Sequence, residues 1–286
     1  MTTLDAQVVW QVWRRILREP ALQHAVFSAD PAKALDDSFG LHGEAREAAL
    51  TYAMRADRTR WFVTNYRFRL ANSFLNALET GAPLTLRALL ALGCDVHASG
   101  NAFLDRCGWK DYGPYVHGYC KDALTFLRET LDSDRLRRVA PLIAFEESTV
   151  EWLIEQSRRP RGGVLDAARD ARAGLIERTH RARYHRSEMQ LSAWLRDKTQ
   201  LGVTLLVVGV EHYFIYLKDA RSAVRFARVP ARAVTLYDAL EVPCTHAELS
   251  GALEQRGAGP LTEQDLQFLS MLEACHAIRG SGAVPS

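Results

Sequence analysis

The sequence predicts an α+β protein, mostly α, in which a helical N-terminal domain precedes a smaller C-terminal domain with a short antiparallel sheet. Three observations carry that expectation. Through residues 1–157 apolar side chains recur at helical spacing. From about residue 203 the period becomes two, and the composition shifts to Val, Ile, Phe and Tyr. Between them, residues 158–186 hold nine arginines against three acidic residues. The expected organisation is a helical domain over 1–157, a basic helical connector over 158–202, a C-terminal domain over 203–280 and a flexible tail over 281–286.

Each helical element has local reasons. In "TLDAQVVWQVWRRILREP" Leu4, Val8, Val12 and Ile16 recur every four residues, and Pro20 stops the pattern. "SADPAKALDDSFG" offers Ser28 and Asp30 as caps, Pro31 in a first turn and Gly40 as a stop. A longer helix carries Phe62, Tyr66, Leu70, Phe74 and Leu78 in one stripe and ends near Gly81 and Pro83. "LTLRALLALG" and "SGNAFLDRC" read as short helices. "KDALTFLRETL" continues the pattern, and "RVAPLIAFEESTVEWLIEQS" is expected to kink at Pro141.

Pro160, Gly162 and Gly163 read as a linker, followed by a basic helix and the amphipathic "SEMQLSAWLRDKTQL". "GVTLLVVGV", "HYFIYLKD" and "SAVRFARVP" read as strands, with "KDARS" as a turn between the last two. Pro230 opens "PARAVTLYDAL", with Val234, Tyr237 and Leu240 on one face. Thr245 with Glu248 is a capping-box pair, and Thr262 with Asp265 a weaker one. Strands feeding three helices, two of them joined by a tight turn, describe a small winged-helix unit.

Composition excludes several classes. The 286 residues are 48% hydrophobic and 24% charged, which a packed protein needs and a disordered one lacks. The most apolar run, "LGVTLLVVGV", is far short of the roughly 20 residues that cross a bilayer as a helix. The first residues predict no secretory signal, and five cysteines, an odd count, predict reduced thiols and a cytoplasmic protein.

A helix-turn-helix can read DNA or hold a peptide, and charge separates the two. Phosphate contacts demand a basic face. Residues 230–280 carry only Arg232, Arg256 and Arg279 against seven carboxylates, so the expectation is peptide, not nucleic acid. On the last helix Leu266, Leu269 and Leu272 form a core stripe, while Phe268, Met271 and Cys275 form a second one. That second stripe either packs inward or walls a groove. The strand "AVRFARVP", with Arg225, Phe226 and Arg228, is the other wall expected, and an extended peptide can add to its edge.

"VTLYDALEVPCTHAELSGALEQRG…LTEQDLQFLSMLEACHAI" resembles the winged-helix elements that recognise leader sequences of ribosomally synthesised, post-translationally modified peptides. It is also similar to tail segments of radical enzymes from such pathways. The helical half, "RWFVTNYRFRLANSFLNALETGAPLTLRALLALG" with "NAFLDRCGWKDYGPYVHGYCKDALTFL", resembles the helical domain of proteins that accompany multinuclear non-heme iron oxidative enzymes. The likeness rests on Tyr66, Arg67, Arg69, Ala77, Leu78, Pro83, Leu89 and Leu90. It implies a non-catalytic partner that binds a precursor peptide and presents it to a separate TIM-barrel-type iron oxidase, in a heterodimer. The iron is then expected in the partner and no cofactor in this chain. Trp61, Tyr66 and Arg69 are the surface implied for the enzyme. The arginine-rich stretch at 158–186 departs from that pattern. Residues 17–41 are similar to a short helical motif of small dioxygenase subunits and of nitrile-hydratase-like leader peptides.

Catalytic motifs are absent: there is no GxSxG, no Walker-type loop and no GxGxxG. Glu146 with Glu147, and Asp36 with Asp37, are adjacent on helices and point apart, so neither pair is a dyad. Cys94, His97, His117 and Cys120 have spacing a Cys₂His₂ zinc site would use, although packing explains them as well. His180 and His185, among the arginines, are expected on a solvated face. Asp166, Asp170 and Glu177 can pair with Arg169, Arg172, Arg178 and Arg181 there. A winged-helix transcriptional regulator and a dioxygenase subunit are the competing readings.

Overall fold

The computed structural model describes residues 4–35, 37–107, 116–159, 174–218 and 223–280. The chain is mostly helical, with a three-stranded and a two-stranded antiparallel sheet, as an α+β fold requires. It divides into two compact units, one of Met1–Thr80 with Asp95–Tyr119 and one of Gly81–Cys94 with Cys120–Ser286.

The first unit is helical. Helices α1 (Ala6–Arg18), α2 (Pro20–Val26), α3 (Pro31–Ala34) and α4 (Gly43–Ala53) bury Val12, Ile16, Leu22, Val26, Ala48 and Ala49 together. Pro20 and Pro31 each open a helix, and Asp30 caps α3 by accepting from the Lys33 amide. Helix α5 (Ala56–Gly81) buries Val63, Ala71, Phe74, Ala77 and Leu78, but leaves Phe62 exposed. Residues spaced by four overshoot a 3.6-residue turn, so between Phe62 and Leu78 the stripe drifts about 160° around the helix. Helix α6 (Pro83–Ala91) follows in the second unit, and α7 (Val96–Cys107) returns to the first. Gly100 of α7 lies so close to α5 that a Cβ there would sit 3.0 Å from the Ala71 carbonyl oxygen.

The second unit is built on the three-stranded sheet β2 (Ala182–Met189), β3 (Val208–Leu217) and β4 (Val224–Val229), with β3 central. Helices α8 (Val116–Thr130) and α9 (Ser133–Arg158) precede it, and α9 packs on both α6 and β2. Alternation along the strands sends Tyr184, Phe214, Tyr216, Ala227 and Val229 to one face. There they join the core of α11 (Ala231–Ala239), α12 (His246–Gln255) and α13 (Glu263–Ala274), where Leu236, Leu249, Leu253, Leu269 and Leu272 are fully buried. Both capping boxes form at Thr245 and Thr262. The chain closes by pairing β5 (Ile278–Arg279) with β1 (Glu177–Arg178).

The structure corrects two expectations. Residues 182–189 form a strand, not part of a basic helix, because their arginines mask an alternation in which Ala182 and Tyr184 face the helical core. Residues 203–207 stay outside the sheet, and β3 runs unbroken from Val208 to Leu217. Helices α6 and α9, from the helical half of the sequence, group with the sheet in the second unit. Helix α9 carries Pro141 within its length. The linker at Pro160, Gly162 and Gly163, the "KDARS" turn and the tail lie outside the described residues, in whole or in most part.

Candidate peptide-binding edge

The site is the outer edge of β4. Strand β4 pairs with β3 on one side only, from Val224 opposite Leu217 to Val229 opposite His212. Among the described residues no backbone hydrogen bond reaches its other side. Such an edge presents a row of unsatisfied amides and carbonyls, ready to pair with an extended chain.

The side chains on β4 divide by parity. Phe226 and Arg228 point away from the α11–α13 core, into the face that α9 covers. Phe145 of α9 sits at the centre of that face and meets one ring from each strand edge-on. Its centroid lies 5.2 Å from His185, 5.6 Å from Tyr213 and 5.5 Å from Phe226. Burial holds His185 well below the usual imidazole range, at about 4, so it is a neutral packing residue and not a surface histidine. Phe226 is 39% exposed, which leaves much of its ring for a partner.

Next to it, Arg228 Nη1 donates to Glu211 Oε1 at 2.9 Å. Glu211 is 8% exposed and also accepts from the Ser192 amide at 2.8 Å, the Ser192 hydroxyl at 2.5 Å and the Tyr213 hydroxyl at 2.6 Å. Ser192 opens the short helix α10 (Ser192–Arg196). Burial works to raise the Glu211 carboxyl, but these four bonds outweigh it and bring it down to about 2. Glu211 is therefore ionised and fixes one end of Arg228, whose side chain is otherwise exposed. Arg225, on the other parity, is exposed and has no ion-pair partner among the described residues. Beyond the end of β4, Val203, Leu205, Val207, Val208 and Val210 expose a run of aliphatic side chains, with Val208 79% exposed. Exposed apolar surface beside an open edge is a feature of binding sites.

The last helix does not complete a groove with Phe226. Phe268 and Met271 are partly buried against the core of their own unit, and Cys275 is 2% exposed with its thiol pushed up to about 11 by burial. That core lies on the opposite face of the sheet from Phe226 and Arg228. Of the residues expected to wall one groove, Phe226 and Arg228 stand on the face away from Phe268 and Met271, and Arg225 stands on the same face as they do. Leu266, expected in the core stripe, is 39% exposed, and Asp265 takes the inward position instead. Glu211, Ser192, Tyr213 and Phe145 are what sequence reasoning missed. The available signal was Glu211 in the same parity as Tyr213 and Ile215, a carboxylate in an otherwise inward row.

Elsewhere, Trp61 is 59% exposed and Arg69 is exposed, whereas Tyr66 packs against the core of the first unit. Glu177 pairs with Arg279 and Arg178 with Asp238, so the arginines nearest β1 are held by other partners than those expected. The rest of that pairing scheme lies mostly outside the described residues. Among the described residues no group of three or more His, Cys, Asp or Glu side chains is arranged to hold a metal ion. Of the four zinc candidates, His97 packs at a tilt against Phe68 and burial pushes the Cys120 thiol up to about 12. Burial lowers His117 and raises Cys94. No described helix is long and apolar enough to cross a membrane.

No family model matches the chain, and no curated protein matches it in sequence.

Proposed function

We propose that this chain is a non-catalytic recognition protein that binds an extended segment of a ribosomally made precursor peptide along β4 and presents it to a separate iron-dependent oxidase. The observation that carries the peptide part is the open edge of β4, flanked by the half-exposed Phe226 ring and by two arginines. Backbone pairing supplies affinity there, and Phe226 with its Phe145 backing supplies a pocket for register. Arg225 and Arg228 favour a peptide with acidic residues. They also disfavour self-pairing of two β4 edges, which would oppose like charges. The oxidase part rests on the resemblance of the helical half, with Trp61 and Arg69 as its exposed candidates.

The ion pairs in the α11–α13 region support peptide over DNA. Arg232 is held by Asp265, Arg256 by Glu241 and Arg279 by Glu177, so each cation of that region already has a carboxylate. Phosphate contacts would have to displace them.

Phe226→Asp is expected to weaken peptide binding about tenfold or more, measured by titration with an extended model peptide that carries acidic residues. Its ring is already part-exposed, so the fold should survive, and an unchanged far-UV spectrum checks that. Unchanged affinity would place the peptide elsewhere. Co-expression with a candidate multinuclear iron oxidase, one chain tagged, tests the partnership. Co-purification in fixed ratio, with iron following the other subunit, is the result expected; elution of this chain alone would sink that part.

A further inference from the structure

The first unit holds an open cleft of about 540 Å³ between α2, α5 and α7, outside anything assigned so far. Its chemistry is one-sided. Arg60 and Arg67 of α5, His24 of α2 and His97 of α7 all line it, and among the described residues no carboxylate does. Arg60 and Arg67 are seven residues apart, two helical turns, and so share a face of α5. The Arg60 guanidinium rests over the Phe27 ring, 5.1 Å from its centroid, and has no ion-pair partner among the described residues. Arg67 is oriented by Asp105, which accepts from one of its terminal nitrogens at 2.6 Å and leaves the other donors of the fork uncommitted in that bond.

Flat apolar surface lies beside these charges. The Phe68 and His97 rings pack at 5.5 Å, and the His97 ring is steadied by Asn101, whose amide nitrogen lies 3.2 Å from Nδ1. Val63 is buried at the base of the cleft. A volume of this size falls in the range of small-molecule sites, which combine apolar walls with a few placed polar groups. A guanidinium that is held on a ring and lacks an internal anion is a natural seat for an external one.

We infer that this cleft binds a small organic anion, a carboxylate carried on a flat aromatic body. The carboxylate sits against Arg60 and the uncommitted donors of Arg67, and the ring lies against Phe68 and His97. The site belongs to the first unit and takes its ligand whether or not β4 takes a peptide.

The test is equilibrium dialysis of the full chain with 2-naphthoate, its neutral isostere 2-naphthamide, and inorganic phosphate. Saturable one-site binding of naphthoate is expected, with naphthamide and phosphate about tenfold weaker or more, the first lacking the charge and the second the ring. Arg60→Gln should weaken naphthoate by a similar factor, while Arg58→Gln, which lies over Phe62 outside the cleft, should not. Both residues are exposed, so neither change should disturb folding, and a far-UV spectrum verifies it. No saturable naphthoate binding, equal binding of the neutral isostere, or binding indifferent to Arg60→Gln would each overturn the inference.

Discussion

Arg232→Ala is expected to destabilise the second unit by about 3 kcal/mol, because it strands a buried carboxylate. Asp265 is 1% exposed and takes two bonds from Arg232, 2.8 Å from Nε and 2.7 Å from Nη2. Arg232 also donates to the Ala258 carbonyl at 2.6 Å, so one guanidinium on α11 clamps the loop between α12 and α13 and the first turn of α13. Asp265 is at the same time the acidic member of the capping box with Thr262. Arg232→Lys should rescue little, since an ammonium cannot reproduce the paired geometry. The Arg232 bonds lead in holding the Asp265 carboxyl at about 2, below its ordinary 3.8. A depressed carboxylate contributes stability that is present above 3.8 and lost as pH falls through about 2. That acid-range loss, about 2 kcal/mol, should shrink in Arg232→Ala. Urea unfolding with amide exchange in α11–α13 reads both effects, and a variant as stable as wild type would refute the clamp.

Glu146 is the second large effect, and its pH dependence has the opposite sign. Its carboxylate sits on the first turn of α6, accepting from the Leu84 and Thr85 amides at 2.8 Å each. The N-cap residue Ala82 has no side chain to do this, so a residue from α9 caps the helix across the core. Burial pushes the carboxyl up to about 7, and the bonds from Leu84 and Thr85 only partly oppose it. Between 4.5 and about 7 the folded chain therefore holds a proton that the unfolded chain has lost. The stability tied to that proton is complete below 4.5 and disappears as pH rises through about 7, an effect on the order of 3 kcal/mol. Glu146→Gln cannot titrate, so the wild-type loss over that range, taken relative to the variant, isolates the group. A wild type that gains stability over the same range relative to Glu146→Gln would contradict the burial argument. Glu146→Ala should be worse at every pH, leaving two buried amides unpaired.

Glu146 also illustrates what the sequence could and could not convey. Adjacent glutamates on a helix were legible as a non-dyad, and that reading suits a residue whose role is to cap another helix. Its partner, 61 residues away, was not legible, because nothing local marks a cap supplied from elsewhere. Local chemistry was read well where it is self-contained. Pro20 and Pro31 at helix starts and the boxes at Thr245 and Thr262 need only neighbours within four residues. Strand β2 was misread for the converse reason. Its alternation exists only because one face meets α11–α13 and the other meets α9, and arginines on a half-covered strand look like arginines on a helix. The candidate site shows both sides of this. Arg225, Phe226 and Arg228 are legible as residues of one strand, but which of them shares a face with α13 is set by the pairing register, since one step along the strand turns a side chain to the other face.

The most direct measurement is amide hydrogen exchange across the chain, with and without an extended model peptide that carries acidic residues. An open β4 edge that gains a partner strand must slow exchange over Val224–Val229, and Phe226→Asp must remove that protection. Saturable peptide binding that leaves Val224–Val229 unprotected, with the slowing confined to α13 or to the first unit, would contradict the account.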